Sequence, residues 1–187
     1  MLALHHPIYS FDNFHSGSPK MALEVEQAIN ESRRVPNVIL TAHVHNYQRI
    51  EVETGGIRLP FLVIGNGGYW HLHRLSVNVG HRDHETGAML VAGIDDRHGF
   101  ASLDIGPRFL NGRFTTVPRP HESWSDPNNY NARCDVFSYS AEPMTLAAGK
   151  AVNRRRSSRV RRVCAASVCQ THSDRATSSF MISVVPA

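Results

Sequence analysis

The fold is decided by the stretch Val38-Ile39-Leu40-Thr41-Ala42-His43-Val44-His45, in which an apolar run ends in two histidines one residue apart. A similar arrangement opens the chain, where Met1-Leu2-Ala3-Leu4 leads into His5-His6-Pro7. Short apolar runs of this kind are typical of buried strands. Each run therefore predicts a strand that delivers imidazoles from its end, which is where sites gather in an open α/β sheet.

The segment between these two strands predicts a helix. Ser18 is a suitable N-cap and Pro19 suits the first helical position, so the helix is expected to begin there and run to about Arg34. Its apolar stripe consists of Met21, Leu23, Val25, Ala28 and Ile29. Val35-Pro36-Asn37 ends the helix before the next strand. Residues 1–40 therefore predict a β-α-β unit with a right-handed crossover.

Beyond Arg49 the sequence changes to short apolar runs separated by glycines. These runs predict strands over residues 50–53, 60–64, 88–94, 100–105, 113–117 and 135–140. We expect them to form a mostly antiparallel sheet that continues the core. The predicted fold class is α/β, with one domain over residues 1–146.

The basic residues are concentrated at the end of the chain. Residues 1–150 hold 13 Lys and Arg against 15 Asp and Glu, whereas residues 151–187 hold 7 Arg against the single Asp174. The formal charge of +4 therefore belongs to the tail, and the loss of periodicity over residues 147–187 predicts disorder there. Arginine clusters can neutralise phosphates, but no aromatic residue is interleaved with them, so a solvated tail is favoured over specific nucleic-acid binding.

Membrane and targeting signals are not visible in the sequence. No stretch approaches the ~20 apolar residues of a membrane span, so none is expected. No signal-peptide pattern precedes His5, which leaves the cytoplasm as the default location. The cysteines Cys134, Cys164 and Cys169 form no C-x-x-C pair and no disulfide framework, which favours a reduced setting.

The histidine blocks carry the chemistry. Neutral imidazole binds zinc, iron, nickel or copper, and a His-x-His step can aim two rings at one centre. Because the cysteines are remote from these blocks, oxygen ligands are needed to complete a site. Nitrogen and oxygen ligands fit hydrolytic catalysis better than structural zinc. His5, His43 and His45 are therefore candidate metal ligands.

At these residues the sequence resembles the calcineurin-like metallophosphoesterases, and within them the purple-acid-phosphatase-like branch. His5-His6-Pro7-Ile8-Tyr9 is similar to the fourth block of that family, a histidine shortly before a proline. Residues 42–49 are similar to the fifth block, G-H-x-H, with Ala42 in place of the glycine. Residues 61–69 and 99–103 resemble later core strands. The resemblance covers about residues 1–140 and implies the C-terminal half of a β-sandwich flanked by helices.

The resemblance also implies a function. The family hydrolyses phosphomonoesters or phosphodiesters at two metal ions, either divalent ions or ions of the Fe, Zn or Mn type. By this resemblance His5 and His43 bind one metal, and His45 binds the other. His15 falls where that branch places a histidine that contacts the phosphate or protonates the leaving group. His6 is implied to pack beside the ligands.

The first three blocks of the family, D-x-H, G-D-x-x-D and G-N-H-[DE], have no counterpart here. Asp96-Arg97-His98 follows the histidine blocks instead of preceding them, and Gly65-Asn66-Gly67-Gly68 lacks the histidine and the acid. Without the anionic bridge a stable metal pair is not expected. We therefore expect an incomplete phosphoester hydrolase with little or no turnover. The alternative is a non-catalytic module that binds metal or docks on a partner, and half a sheet invites self-association through its edge.

A second His-x-His step, His71 and His73, has a simpler interpretation. It predicts a pair at a strand end beside a buried Trp70. Polar loops or turns account for the remaining pairs, which are His81 with His84 and Asp95 with Asp96.

Overall fold

A computed structural model describes residues 1–54, 57–123, 132–147, 150–151 and 179–182. These residues form mixed α/β structure, made mostly of strands with one helix. They divide into two compact units, of which the first holds Met1–His98 and the described residues from Pro143 to Ala151. The second unit holds the described residues of Gly99–Glu142 and Ser179–Ile182. The structure thus divides at Gly99 where the sequence predicts one domain over residues 1–146.

The main sheet of the first unit has the strand order β1-β3-β5-β4-β6. Its strands are β1 (Leu2–Ala3), β3 (Ile39–Thr41), β4 (Tyr47–Thr54), β5 (Ile57–Ile64) and β6 (Met89–Ile94). Strands β1, β3 and β5 are parallel, whereas β4 runs antiparallel to β5 and β6. Because β1 and β3 are parallel neighbours, their carboxyl ends lie at the same edge of the sheet. The histidine blocks follow these two ends.

The predicted helix is confirmed as α1 (Pro19–Ser32). The Ser18 side chain caps it by accepting a hydrogen bond from the Met21 amide at 3.3 Å. Arg33 ends the helix with φ of 59°, and β2 (Arg34–Val35) follows. Met21 and Val25 pack against the core, but Leu23 is 68% exposed and lies outside the predicted apolar stripe. The β-α-β unit is present, and the hand of its crossover stays a prediction.

The strands beyond Arg49 pair mostly antiparallel, as predicted, but they do not form one sheet that continues the core. Strand β5 is parallel to β3, and the strands after Gly99 form a sheet of their own in the order β12-β7-β8-β9. These strands are β7 (Gly99–Ile105), β8 (Phe109–Thr116), β9 (Cys134–Ser140) and β12 (Ser179–Ile182). In β7 and β8 the buried residues alternate with less buried ones, so each of these two strands buries one face. Leu103, Leu110 and Phe114 are fully enclosed there.

Part of the predicted disordered tail is described and is extended. Strand β10 (Met144–Ala147) pairs with β2 and with β11 (Lys150–Ala151), and β12 pairs with β7. At these positions the structure differs from the expected disorder. The arginine clusters and the cysteines Cys164 and Cys169 lie outside the described residues, and Cys134 begins β9. Among the described residues, no helix is both long and apolar enough to cross a membrane.

Candidate metal centre

The backbone brings the two histidine blocks together at the carboxyl ends of β1 and β3. The Leu4 amide donates to the Leu40 carbonyl at 2.9 Å, and the Ala42 amide donates to the His5 carbonyl at 3.0 Å. The parallel pairing of β1 and β3 thus continues past both strands. It sets His5 beside the residue that precedes His43.

Three imidazoles converge there, and His5, His6 and His43 are called the three-histidine group below. The Nδ1 of His43 lies 3.2 Å from the Nε2 of His5, and one potential ligand nitrogen from each residue lies within 4.8 Å of the other two. Two nitrogens bound to one tetrahedral zinc lie about 3.3 Å apart, given Zn–N bonds of about 2.0–2.1 Å. The His5 and His43 nitrogens meet that spacing, and the His6 nitrogen lies within 4.8 Å of both. The three-histidine group could therefore hold zinc, copper, nickel or iron.

His43 occupies an uncommon backbone conformation. Its φ is 60°, and the Val44 amide donates across it to the Ala42 carbonyl at 2.6 Å. This is a tight γ-type turn, a conformation that non-glycine residues adopt only when the surroundings impose it. Gly65 is part of those surroundings, because a Cβ there would collide with the Val44 carbonyl oxygen. Because of this turn, the side chains of His43 and His45 have different neighbours.

The electrostatics of His43 favour the ligand form. Burial lowers the pKa of the His43 ring, and the neighbouring rings of His6 and His5 lower it further. A neutral ring offers the lone pair that a metal requires.

A buried polar network, formed by Asp12, Asn46, Gln48 and His73 and called the Asp12 network below, lies beside this group. Asp12 Oδ2 accepts hydrogen bonds from the amides of Phe14 at 2.9 Å and His15 at 2.8 Å. Its Oδ1 accepts from Asn46 Nδ2 at 3.0 Å. A single enclosed carboxylate therefore fixes the loop that carries His15 and the turn that carries His45.

The rest of the Asp12 network ties this loop to β4. Asn46 Oδ1 accepts from Gln48 Nε2 at 2.9 Å, and Gln48 Oε1 accepts from the Phe11 amide at 2.8 Å. Asn46 Nδ2 also reaches the His73 carbonyl at 3.1 Å. Each of these polar groups is buried and paired, which is how a protein keeps them without a large desolvation cost.

His73 takes a more central position than the sequence indicates. It is 6% exposed, and its Nδ1 lies 3.3 Å from Asp12 Oδ2, close enough for an ion pair but without hydrogen-bond geometry. Its ring lies 4.6 Å from that of His45 and 5.1 Å from that of His15, between centroids. Burial lowers the pKa of His73, and the Asp12 carboxylate opposes that shift. His73 therefore belongs to the site and not to a strand end beside it.

The predicted site residues are thus brought together in part. His5 and His43 are in contact, whereas His45 is not a member of the three-histidine group. His45 instead packs on His73, and its Nδ1 lies 3.1 Å from the His71 carbonyl oxygen. Burial, followed by the neighbouring His73, lowers the pKa of His45. His15 lies between the two groups, since its ring centroid is 5.2 Å from that of His43 and 5.1 Å from that of His73.

His6 and Trp70 differ from their predicted roles. The ring of His6 lies 4.0 Å from that of His43 and offers a ligand nitrogen, so His6 is more than a packing residue. Trp70 is 80% exposed instead of buried. Its place in a glycine-rich loop explains the difference, because no strand directs its ring inward.

The remaining polar pairs have structural roles. Asp83 accepts hydrogen bonds from the amides of Glu85 and Thr86, and the bonds from Thr86 lower the pKa of its carboxyl group. Asp95 accepts from the Leu75 amide at 3.0 Å. Both carboxylates organise loops, but Asp95 is half-buried and not solvated as the sequence indicates.

Comparison with known proteins gives no assignment. The chain matches no protein-family model and no curated protein. The function is therefore argued from the site.

Proposed function

We propose that this chain carries the histidine half of a metal-dependent phosphoester hydrolase of the calcineurin-like metallophosphoesterase type. The observation that supports it best is the 3.2 Å separation between His43 Nδ1 and His5 Nε2, at the ends of parallel strands. Two histidines 38 residues apart in sequence meet at metal-ligand spacing, at the sheet edge where such sites lie. The proposed fold is the C-terminal half of that family's β-sandwich domain.

In the proposed reaction some histidines bind metal and one donates a proton. His5 and His43 hold one ion, and a bound ion supplies Lewis-acid polarisation of a phosphoryl oxygen. His45, which packs on His73, would hold a second ion in the two-metal form of the site. His15, whose amide is fixed by Asp12, donates a proton to the leaving oxygen of a phosphomonoester or phosphodiester.

Little or no turnover is expected from the chain alone. Among the described residues, the one group of potential ligands within reach of a common ion contains histidines and no carboxylate. Imidazoles alone cannot neutralise a pair of divalent cations, so the three-histidine group is expected to hold one ion.

The experiment is a titration of the metal-free chain with Zn²⁺ by isothermal calorimetry, followed by an assay with p-nitrophenyl phosphate in Zn²⁺, Mn²⁺ or Fe²⁺. We expect zinc binding that His43→Ala removes and that His84→Ala, a change in an exposed loop, retains. Strong hydrolysis that depends on His43 would overturn the expected inactivity. Zinc binding that is unchanged in His43→Ala would overturn the site.

A second candidate is a non-catalytic metal-binding module that docks on a partner or on a second copy of the chain. The all-imidazole composition of the three-histidine group favours it, because such a set binds one ion tightly without a bridging carboxylate. Size-exclusion chromatography with metal analysis separates the two candidates. A zinc-dependent change in oligomeric state without hydrolysis supports the module, whereas turnover by a monomer supports the enzyme.

A further inference from the structure

Exposed aromatic side chains are concentrated beside the candidate site. Phe14 is 63% exposed, Tyr69 40% and Trp70 80%, and together they are called the aromatic rim below. The other exposed large apolar residues in the described part of the chain are aliphatic, namely Met1, Leu23, Val79, Ile105 and Val136. Large aromatic rings are normally mostly buried, so their exposure at one place indicates a binding surface.

Each ring of the aromatic rim touches a histidine. The Tyr69 ring lies 4.2 Å from that of His45, and the Phe14 ring lies 5.1 Å from that of His73. Trp70 stacks on His71 at 5.2 Å with 30° between the planes. Tyr69 thus joins the rim directly to His45, a proposed metal ligand, while Phe14 contacts His73, whose ring lies next to those of His45 and His15.

The backbone that carries the aromatic rim is fixed. His98 Nε2 lies 2.7 Å from the Tyr69 carbonyl oxygen, and the His73 amide donates to the His45 carbonyl at 3.1 Å. Tyr69 and Trp70 have ring centroids 6.0 Å apart and planes inclined by 31°. The two rings are tilted neighbours, and the large exposed face of Trp70 is available for stacking with a flat ring.

We infer that the phosphoester bound here carries a planar aromatic group, either an aryl ring or a nucleobase, that stacks on the aromatic rim with Trp70 as its main platform. The inference rests on the proposed function, since the phosphate is assigned to the histidines. Ligand sites commonly combine a few convergent polar groups with aromatic walls, and both parts are adjacent here. Stacking does not select one base, because every base has a π-face.

The experiment compares ligands of equal charge on the whole chain, with and without Zn²⁺. Binding of phenyl phosphate, adenosine 5′-monophosphate and glycerol 1-phosphate is measured by isothermal calorimetry. We expect the aromatic esters to bind about tenfold more tightly than the aliphatic one, within the range known for one base on one aromatic ring. The ratio of the two aromatic affinities distinguishes an aryl from a nucleobase preference.

The variant Trp70→Ala is expected to remove the preference, and Trp70→Phe to restore most of it. Leu23→Ala, at an equally exposed apolar residue on α1, is the matched control and should change nothing. Equal affinities for all three esters, a preference that survives Trp70→Ala, or no binding of any ester would each overturn the inference.

Zinc titration of the same samples reports on the proposed function separately. Zinc bound with His43 but without aromatic preference defeats the inference alone. Aromatic preference through Trp70 without any zinc binding defeats the assignment of the metal site. If the rim instead covers a protein partner, the esters show no preference and the inference fails.

Discussion

The three-histidine group and the Asp12 network lie side by side but are built differently. His5 and His6 are exposed and are placed mainly by the backbone pairing at the ends of β1 and β3. Asp12 and His73 are enclosed and are held by side-chain contacts. The potential ligands therefore keep the freedom to close on an ion, whereas the neighbouring scaffold is fixed before any ion arrives.

The two regions depend on different interactions, one for folding stability and the other for metal binding. Buried hydrogen bonds to a carboxylate contribute to folding stability, because leaving any partner unpaired is costly. Exposed imidazoles contribute little to the free energy of folding. They also give up few contacts when an ion draws them together. The residues that stabilise the fold are thus different from the residues that bind metal. Substitutions in the two sets should therefore have different effects.

The largest effect is expected from Asp12→Ala, which breaks the network. The amides of Phe14 and His15 and the amide group of Asn46 lose their acceptor. We expect the free energy of unfolding to fall by about 3 kcal/mol, since the buried Asn46 donor left unpaired costs about 1–3 kcal/mol and the two part-buried amides add less each. Urea unfolding measures it, with the exposed Glu24→Ala as control. A loss below about 1 kcal/mol would show that Asp12 does not hold the Asp12 network together.

Next in size is His43→Ala, which acts on the other region. We expect zinc affinity to fall more than about 100-fold, because changing a partner outside the ligand shell already costs about 10–100-fold. Stability without metal should change little, since the His43 ring is only half-buried. Calorimetry and urea unfolding measure the two quantities. Equal losses in both would remove the distinction between the regions.

The turn that joins the regions is tested by Gly65→Ala. A Cβ at Gly65 meets the Val44 carbonyl oxygen, so the His43 turn must shift. We expect a loss of about 2 kcal/mol, within the range for overpacking, together with weaker zinc binding. Gly68→Ala is the matched control, because a Cβ there meets open space. Similar stabilities for the two variants would contradict the close approach.

A smaller effect is expected from pH on the metal-free protein. Burial lowers the pKa values of His43, His45 and His73 in the folded state, while an unfolded histidine titrates near 6.5. Below about pH 6.5 the unfolded chain binds protons that the folded chain resists, so this stability is full above that pH and declines as the pH falls. Thermal unfolding between pH 7.5 and 5.5 should show a falling Tm, less steeply in His43→Ala. A Tm that rises on acidification would contradict the assignment.

Much of the first unit follows from sequence pattern. The Ser18 cap and α1 follow from the sequence because capping is a local rule. The meeting of His5 with His43 follows because a β-α-β unit sets the ends of its two parallel strands at the same edge. The separate sheet after Gly99 was not, since alternation identifies strands but not their partners. Asp12 was also missed, because an aspartate in a polar loop ordinarily indicates solvent. The available signal was the tendency of an aspartate to accept hydrogen bonds from backbone amides shortly after it in a turn. Asp12 accepts from the amides two and three residues later.

The central claim is that His5, His6 and His43 bind one metal ion through nitrogen. X-ray absorption spectroscopy of the zinc-loaded chain tests it most directly. The account predicts one zinc per chain with nitrogen ligands at about 2.0–2.1 Å, and loss of that signal in His43→Ala. A sulfur ligand at about 2.3 Å, as from a cysteine, or a zinc signal that persists in His43→Ala, would contradict it.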